Sequence, residues 1–199
     1  MNEIVRNISR LPTTQAAEGL PRLRWTTAQL IHLAELGVFR AEDRLELIGG
    51  EIVPMSPIGR RHEVVAEEIE DALRRTALAH VRVRAKPQFN LEDDTYVEPD
   101  IFVHPDTIRS YDVRGGTVLL VIEVAKTSLE YDLGTKAETY AKHGVCDYWV
   151  VDADTLATRI HRQPGPSGYA DIRDIPPAQT ITPLLIPELA LSLGQLDLT

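Results

Sequence analysis

Hydrophobic positions along the chain follow two periods, one near 3.6 and one near two. From about Arg61 to Ala79, Val64, Val65, Ile69, Ala72, Leu73 and Leu78 recur at helical spacing and predict an amphipathic helix. Leu30, Leu33 and Ala34 do the same after Thr26-Thr27-Ala28-Gln29. Thr26 with Gln29 three positions on is a capping-box pattern, so a helix is predicted over roughly 26–37. A third stripe, Leu133, Ala137, Tyr140 and Ala141, predicts a helix over roughly 133–143, with Asp132 as its cap and Gly144 at its end.

The other segments read as strands. Arg44 to Ile48 and Glu51 to Met55 flank Gly49-Gly50, a two-residue hairpin signal. Val81 to Ala85 alternates and is expected to extend through Phe89. Tyr96 to His104 reads as one strand closed by Pro105. The run Thr117 to Ala125 is apolar on both faces, which places it centrally in a sheet covered by helices on both sides. Asp147 to Asp152 is a further buried strand and Thr158 to His161 a short one. Gln163 to Gly168 is a turn, a return strand falls within 169–182, and the tail from Leu184 to Leu191 is apolar enough to pack on the core.

The order α-β-β-β-α-β between residues 61 and 152, behind an N-terminal helix and hairpin, predicts an α/β fold with a mixed sheet flanked by helices. Residues 1–22 show no period and are expected to form an irregular arm, with one domain over 23–199. No internal repeat or linker is visible.

Composition narrows the class. A chain of 199 residues, 43% hydrophobic and 26% charged, is globular and long enough for a sizeable core. One cysteine, Cys146, forms no internal disulfide and reads as a core residue. No apolar run reaches membrane-spanning length, and the N-terminus has no signal-peptide core; a cytoplasmic location is expected. The net charge of −9 argues against a broad basic surface for nucleic acid, while leaving room for a small basic patch beside a metal-neutralised acidic centre.

The candidate chemistry begins at Glu123. A carboxylate inside an apolar strand is costly unless something pairs with it. On their strands, Asp100 shares a face with Phe102 and His104, and Glu123 with Leu119, Val121 and Ala125. If the strands are neighbours, both carboxylates point into one space. There, with the Val124 backbone carbonyl, they could hold one or two Mg²⁺ or Mn²⁺ ions, which prefer oxygen donors. A turn at Pro99-Asp100 and a buried ion pair at Glu123 are the structural alternatives. Lys136 lies at the edge of its helix's apolar stripe and can lean over the sheet edge, either to polarise water and phosphate or to lay its stem along the core. Lys142 falls on the solvated face. His62 and Glu63, opening the long helix, could meet metal-bound water or substrate, or form an ordinary solvated face. Arg82 and Arg84 could contact phosphate or be the exposed face of an edge strand.

These residues together resemble the Uma-two family of putative restriction endonucleases. The resemblance is carried by Arg44 to Pro57, His62, Glu98-Pro99-Asp100, Val121 to Asp132, Lys136, Tyr140-Ala141, Gly144-Val145 and Tyr148 to Asp152. It runs from about Thr26 to the tail. The family is similar in fold to the PD-(D/E)XK nuclease superfamily, which implies Asp100 as the PD aspartate and Glu123 as the (D/E) residue. The superfamily lysine belongs two residues after Glu123, where this chain has Ala125. Lys126 is one residue too far to share a strand face with Glu123, and the family's Asp-x-x-x-Lys helix implies Lys136 instead. The expected function is a Mg²⁺- or Mn²⁺-dependent endonuclease hydrolysing DNA, with a homodimer as one way to cut two strands. The alternative is a catalytically silent binding or regulatory module on the same fold; a metal-dependent hydrolase of another substrate is a third reading.

Overall fold

The computed structural model describes residues 23–40, 43–55 and 57–198, so the expected N-terminal arm lies outside the described residues. Helix α1 (Thr27–Glu35) starts where the capping box places it: the Gln29 N–H donates to the Thr26 hydroxyl and the Thr26 N–H to the Gln29 side chain. Strands β1 (Leu45–Ile48) and β2 (Glu51–Pro54) form the expected hairpin. Its turn needs Gly49 and Gly50, whose φ values are +55° and +81°. Helix α2 (Arg60–Thr76) buries Val65, Ala66, Ile69 and Leu73 on one side.

The sequence predicts one mixed sheet, and the chain builds two. The segment expected to run from Val81 through Phe89 divides into β3 (Val81–Ala85) and β4 (Phe89–Glu92). The segment expected from Tyr96 to His104 divides into β5 (Thr95–Val97) and β6 (Ile101–Pro105). The two breaks coincide in space. Lys86 takes a left-handed φ of +45° ahead of Pro87, and its N–H donates to the carbonyl of Asp100 at 2.8 Å, just beyond the final β3–β6 pair, Ala85 with Ile101. Pro99 on the opposite chain has no N–H to continue a ladder. Both chains therefore leave the larger sheet together, and β4 and β5 join the hairpin in a four-stranded antiparallel sheet ordered β2-β1-β5-β4.

The larger sheet adds β7 (Leu120–Ala125), β8 (Asp147–Asp152), β9 (Thr158–Gly165) and β10 (Gly168–Ile175), in the order β10-β9-β8-β7-β6-β3. Every pairing is antiparallel except β7 with β8. The crossover between those two contains α3 (Leu129–Tyr131), a π-helical turn (Asp132–Lys136) and α4 (Ala137–Lys142). The helix thus begins four residues earlier than expected, after Ser128. Asp132 lies inside it rather than capping it, and its carboxylate faces Lys136 instead of a free N–H. Strand β9 runs on through the expected turn. It pairs with β8 only as far as Arg162, so Pro164, whose one strand partner is Tyr169 of β10, interrupts no ladder with β8. Pro176-Pro177 end the return strand at Ile175.

The larger sheet is apolar on both sides, as its central strand predicts. One face sets Leu120, Ile122, Val124 and Trp149 against α2 and against Ile186, Leu189 and Leu193 of the tail. The other sets Val121, Ala125, Tyr148 and Val150 against Ala137 and Tyr140 of α4. The tail docks through Ile186, Leu189 and Leu193, leaving Leu184 and Leu185 exposed. Among the described residues no helix is long and apolar enough to cross a membrane.

Candidate active site

Asp100 stands one residue before β6 begins to pair. Ile101 opposes Ile122 of β7, so Asp100 sits across from Glu123 at the position where the ladder has just ended. The Val124 N–H has no β6 partner there, and Asp100 supplies one: its Oδ2 accepts that N–H at 2.8 Å. The same oxygen lies 2.9 Å from His62 Nε2, on the first turn of α2. Strand and helix together fix the orientation of this carboxylate.

Glu123 projects on the Val121–Ala125 side of β7, toward α4. Its Oε1 accepts the Tyr140 hydroxyl at 3.0 Å and lies 2.9 Å from Lys136 Nζ. Lys136 also reaches Glu46 Oε1 at 3.0 Å and Asp132 Oδ1 at 3.8 Å. Glu46 is 0% exposed, Lys136 3%, Glu123 4% and Asp100 6%, so the cluster is nearly dry. The π turn places Asp132 and Lys136 on the buried side together, and the Tyr148 hydroxyl donates to the Asp132 carbonyl at 2.9 Å.

Glu46 and Asp132 join the site without having been expected there from the sequence. Glu46 lies in Leu45-Glu46-Leu47-Ile48, a carboxylate in a short apolar strand, and the desolvation argument applied to Glu123 holds for it equally. Asp132 precedes Lys136 by four residues, the spacing at which helical charges pair. Both signals are present; neither says which partner closes the pair.

The cluster forms the floor of a cleft of about 370 Å³, whose rim includes Arg44, Met55, Ile58, Lys126 and Ser128. Of the auxiliary candidates, His62 lines the cleft. Lys126 is at the rim and paired with Asp154 at 2.7 Å. Glu63 is exposed and turned away. Arg82 and Arg84 are not in the cleft. They sit on β3, at the edge of the larger sheet, where Arg82 donates to the carbonyls of Ala79 and Val81 and lies 3.8 Å from Asp106.

The electrostatics are unbalanced. Burial pushes the Glu123 carboxyl well above the usual carboxylate range. Lys136 opposes this, while Asp132, Asp100 and Glu46 reinforce it. Burial alone would depress Lys136, but Glu123, Glu46 and Asp132 outweigh it and hold the ammonium charged well above its ordinary range. Asp132 is raised as well, chiefly by burial, with Lys136 pulling the other way. Three carboxylates thus share one ammonium, and a fourth, Asp100, lies beside His62. A further cation would relieve the excess. Among the described residues no three His, Cys, Asp or Glu side chains converge as a ready-made metal cage. The oxygen donors at Asp100 and Glu123 suit a hard dication of the kind that takes one or two carboxylates and keeps several waters, and do not suit a thiolate- or imidazole-preferring metal.

The sequence profile of the Uma2 family, described as "Putative restriction endonuclease", matches residues 28–194. A solved structure described as a putative nuclease belonging to DUF820, from Anabaena variabilis, matches with a TM-score of 0.67 at 17% identity, covering 85% of this chain and 95% of that one. The type IIG restriction endonuclease BpuSI matches with a TM-score of 0.36 at 15% identity, covering 55% of this chain and 13% of that one. No curated protein matches. The architecture is therefore the restriction-endonuclease-like mixed α/β fold that the sequence predicts, built from two sheets.

Proposed function

The chain belongs to the Uma2 family, and from that premise we propose that it is a metal-dependent endonuclease hydrolysing phosphodiester bonds in DNA. The observation that carries the reading is the meeting of Asp100, Glu123 and Lys136 in one cleft, although they come from the start of β6, from β7 and from a helix. In this reading Asp100, Glu123 and the Val124 carbonyl hold Mg²⁺ or Mn²⁺. When bound, such an ion supplies Lewis acidity toward a phosphoryl oxygen and lowers the pKa of water.

The chain's own residues do the rest. The Val124 N–H and His62 hold Asp100 with one oxygen committed, which fixes where the other points. Tyr140 does the same for Glu123. Lys136 brings a fixed positive charge to the place where negative charge develops on phosphorus, in surroundings dry enough for that charge to count. Lys126 at the rim is placed to meet a neighbouring phosphate.

One observation favours the catalytically silent module instead: Lys136 already commits its contacts to protein carboxylates. Cleavage of supercoiled plasmid and of single-stranded DNA with Mg²⁺ or Mn²⁺, run beside EDTA and beside Glu123→Ala, separates the two. The nuclease reading expects cutting that needs both the metal and Glu123. Absence of cutting on both substrates, or cutting that Glu123→Ala leaves intact, overturns it.

A further inference from the structure

We propose that Glu46 is the positioning residue for Lys136: it reaches from the small sheet into the floor of the cleft and fixes the ammonium against Glu123. The inference rests on the nuclease reading above. Glu46 is wholly buried, so it acts through what it touches rather than by meeting substrate. Both of its oxygens are committed. Oε1 accepts from Lys136 Nζ at 3.0 Å and from the Glu98 N–H at 3.2 Å, and Oε2 accepts the Tyr131 hydroxyl at 3.1 Å. It is an anchored acceptor, held from its own sheet and from the helix that carries the lysine.

A lysine has a long flexible stem and a compact charge, so its position is set by what holds the ammonium. Here two carboxylates hold it at hydrogen-bond distance, one from each sheet; Asp132, at 3.8 Å, is too far to replace either. Without Glu46 the ammonium keeps a single short contact, Glu123, and is free to swing about it. Displacements of that size away from a reacting group are costly in rate.

The test uses the full chain and Glu46→Gln, which keeps the side chain's shape and removes its charge. The expected result is a kcat lower on the order of 10- to 100-fold with KM within about twofold. In a Lys136→Met background the same change is expected to move kcat by less than about twofold, because a residue acting through lysine has nothing left to position. Mn²⁺ affinity, read by calorimetry, is expected to stay within about twofold of the unaltered protein, whereas loss of a direct ligand would cost tenfold or more. An unchanged kcat, equal losses with and without Lys136, or a Mn²⁺ affinity that falls with activity would each overturn the proposal.

Two further arms keep the outcome decisive. If Glu46→Gln does not fold, Tyr131→Phe removes the anchor on Oε2 and is expected to lower kcat in the same direction, less steeply; an unchanged kcat there counts against the role. The ¹⁵N signal of the Lys136 ammonium does not depend on cutting at all. Its shift or loss in Glu46→Gln supports the positioning role even if the protein cleaves nothing and the nuclease reading falls. An ammonium signal identical in both proteins overturns it.

Discussion

Replacing Lys136 by methionine tests the charge balance of the site directly. The substitution keeps most of the stem's volume and deletes the ammonium that lies 2.9 Å from Glu123, 3.0 Å from Glu46 and 3.8 Å from Asp132. Three buried carboxylates are then left facing one another. Breaking a buried ion pair from one side costs about 3–5 kcal/mol, most of it the uncompensated charge that remains. For a domain of this length, each kcal/mol moves the melting temperature by about 2–4 °C, so a fall of about 6–20 °C at neutral pH is expected. The loss should depend on pH in a defined sense. Glu123 and Asp132 already bind protons more tightly in the fold than an unfolded carboxylate does, and removing Lys136 raises them further. A carboxyl with a raised folded pKa contributes stability below its unfolded pKa and loses it as pH rises through the folded value. The deficit relative to the unaltered protein should therefore be largest near pH 8 and shrink toward pH 5. Urea titrations of both proteins across that range read it out. A deficit under about 1 kcal/mol at pH 8, or one of equal size at both ends, refutes the reasoning, since either result means that the carboxylates are not held as unpaired charges in the fold.

Other expectations follow from the same structure. Mn²⁺ at about a hundred times its dissociation constant should raise the melting temperature of the unaltered protein by roughly 5–11 °C, reversibly with EDTA, and should leave Glu123→Ala unmoved; an equal shift in both would place the ion elsewhere. Gly115→Ala should cost about 1–3 kcal/mol, because a Cβ there meets the backbone carbonyl of His143, and an unchanged denaturation midpoint would contradict that contact. His161, buried between Tyr148 and Tyr169 with Nδ1 unpartnered, is held below the ordinary histidine value of 6.5 by burial. The unfolded chain takes up that proton first as pH falls below 6.5, so this histidine should lower stability by at most about 1.4 kcal/mol at pH 5.5. In His161→Phe that part of the pH dependence should vanish in paired denaturation curves at pH 7.5 and 5.5.

Much of this was legible in the sequence because it rests on local periodicity. The α1 capping box, the Gly49-Gly50 hairpin, the stripe of α2 and the doubly apolar β7 each need only their own residues to be read. The split of the sheet did not show, because alternation in Val81–Ala85 and in Tyr96–His104 continues across the break. What ends those strands is a pairing between Lys86 and Asp100, fourteen positions apart, and that is a tertiary fact. The start of the crossover helix was misplaced for a related reason. Asp132 has the chemistry of a cap, and only the neighbourhood of Lys136 assigns its carboxylate to the interior. Asp100, Glu123 and Lys136 could be named from residue type and face. Glu46 could not be matched to its partner, since nothing local in β1 points to a helix so far along the chain.

That distance sets when the charged centre can exist. The Glu46–Tyr131 bond closes a loop of 85 residues, and the Lys136–Glu46 contact beside it spans a similar stretch. Closing such loops is slow relative to forming helices and hairpins. The hairpin, α2 and the crossover helix can each take shape while the ammonium is still exposed and mobile. Glu46 reaches it only when the small sheet meets the crossover helix. Whatever chemistry needs the complete centre is withheld from a chain in which that long-range contact has not closed.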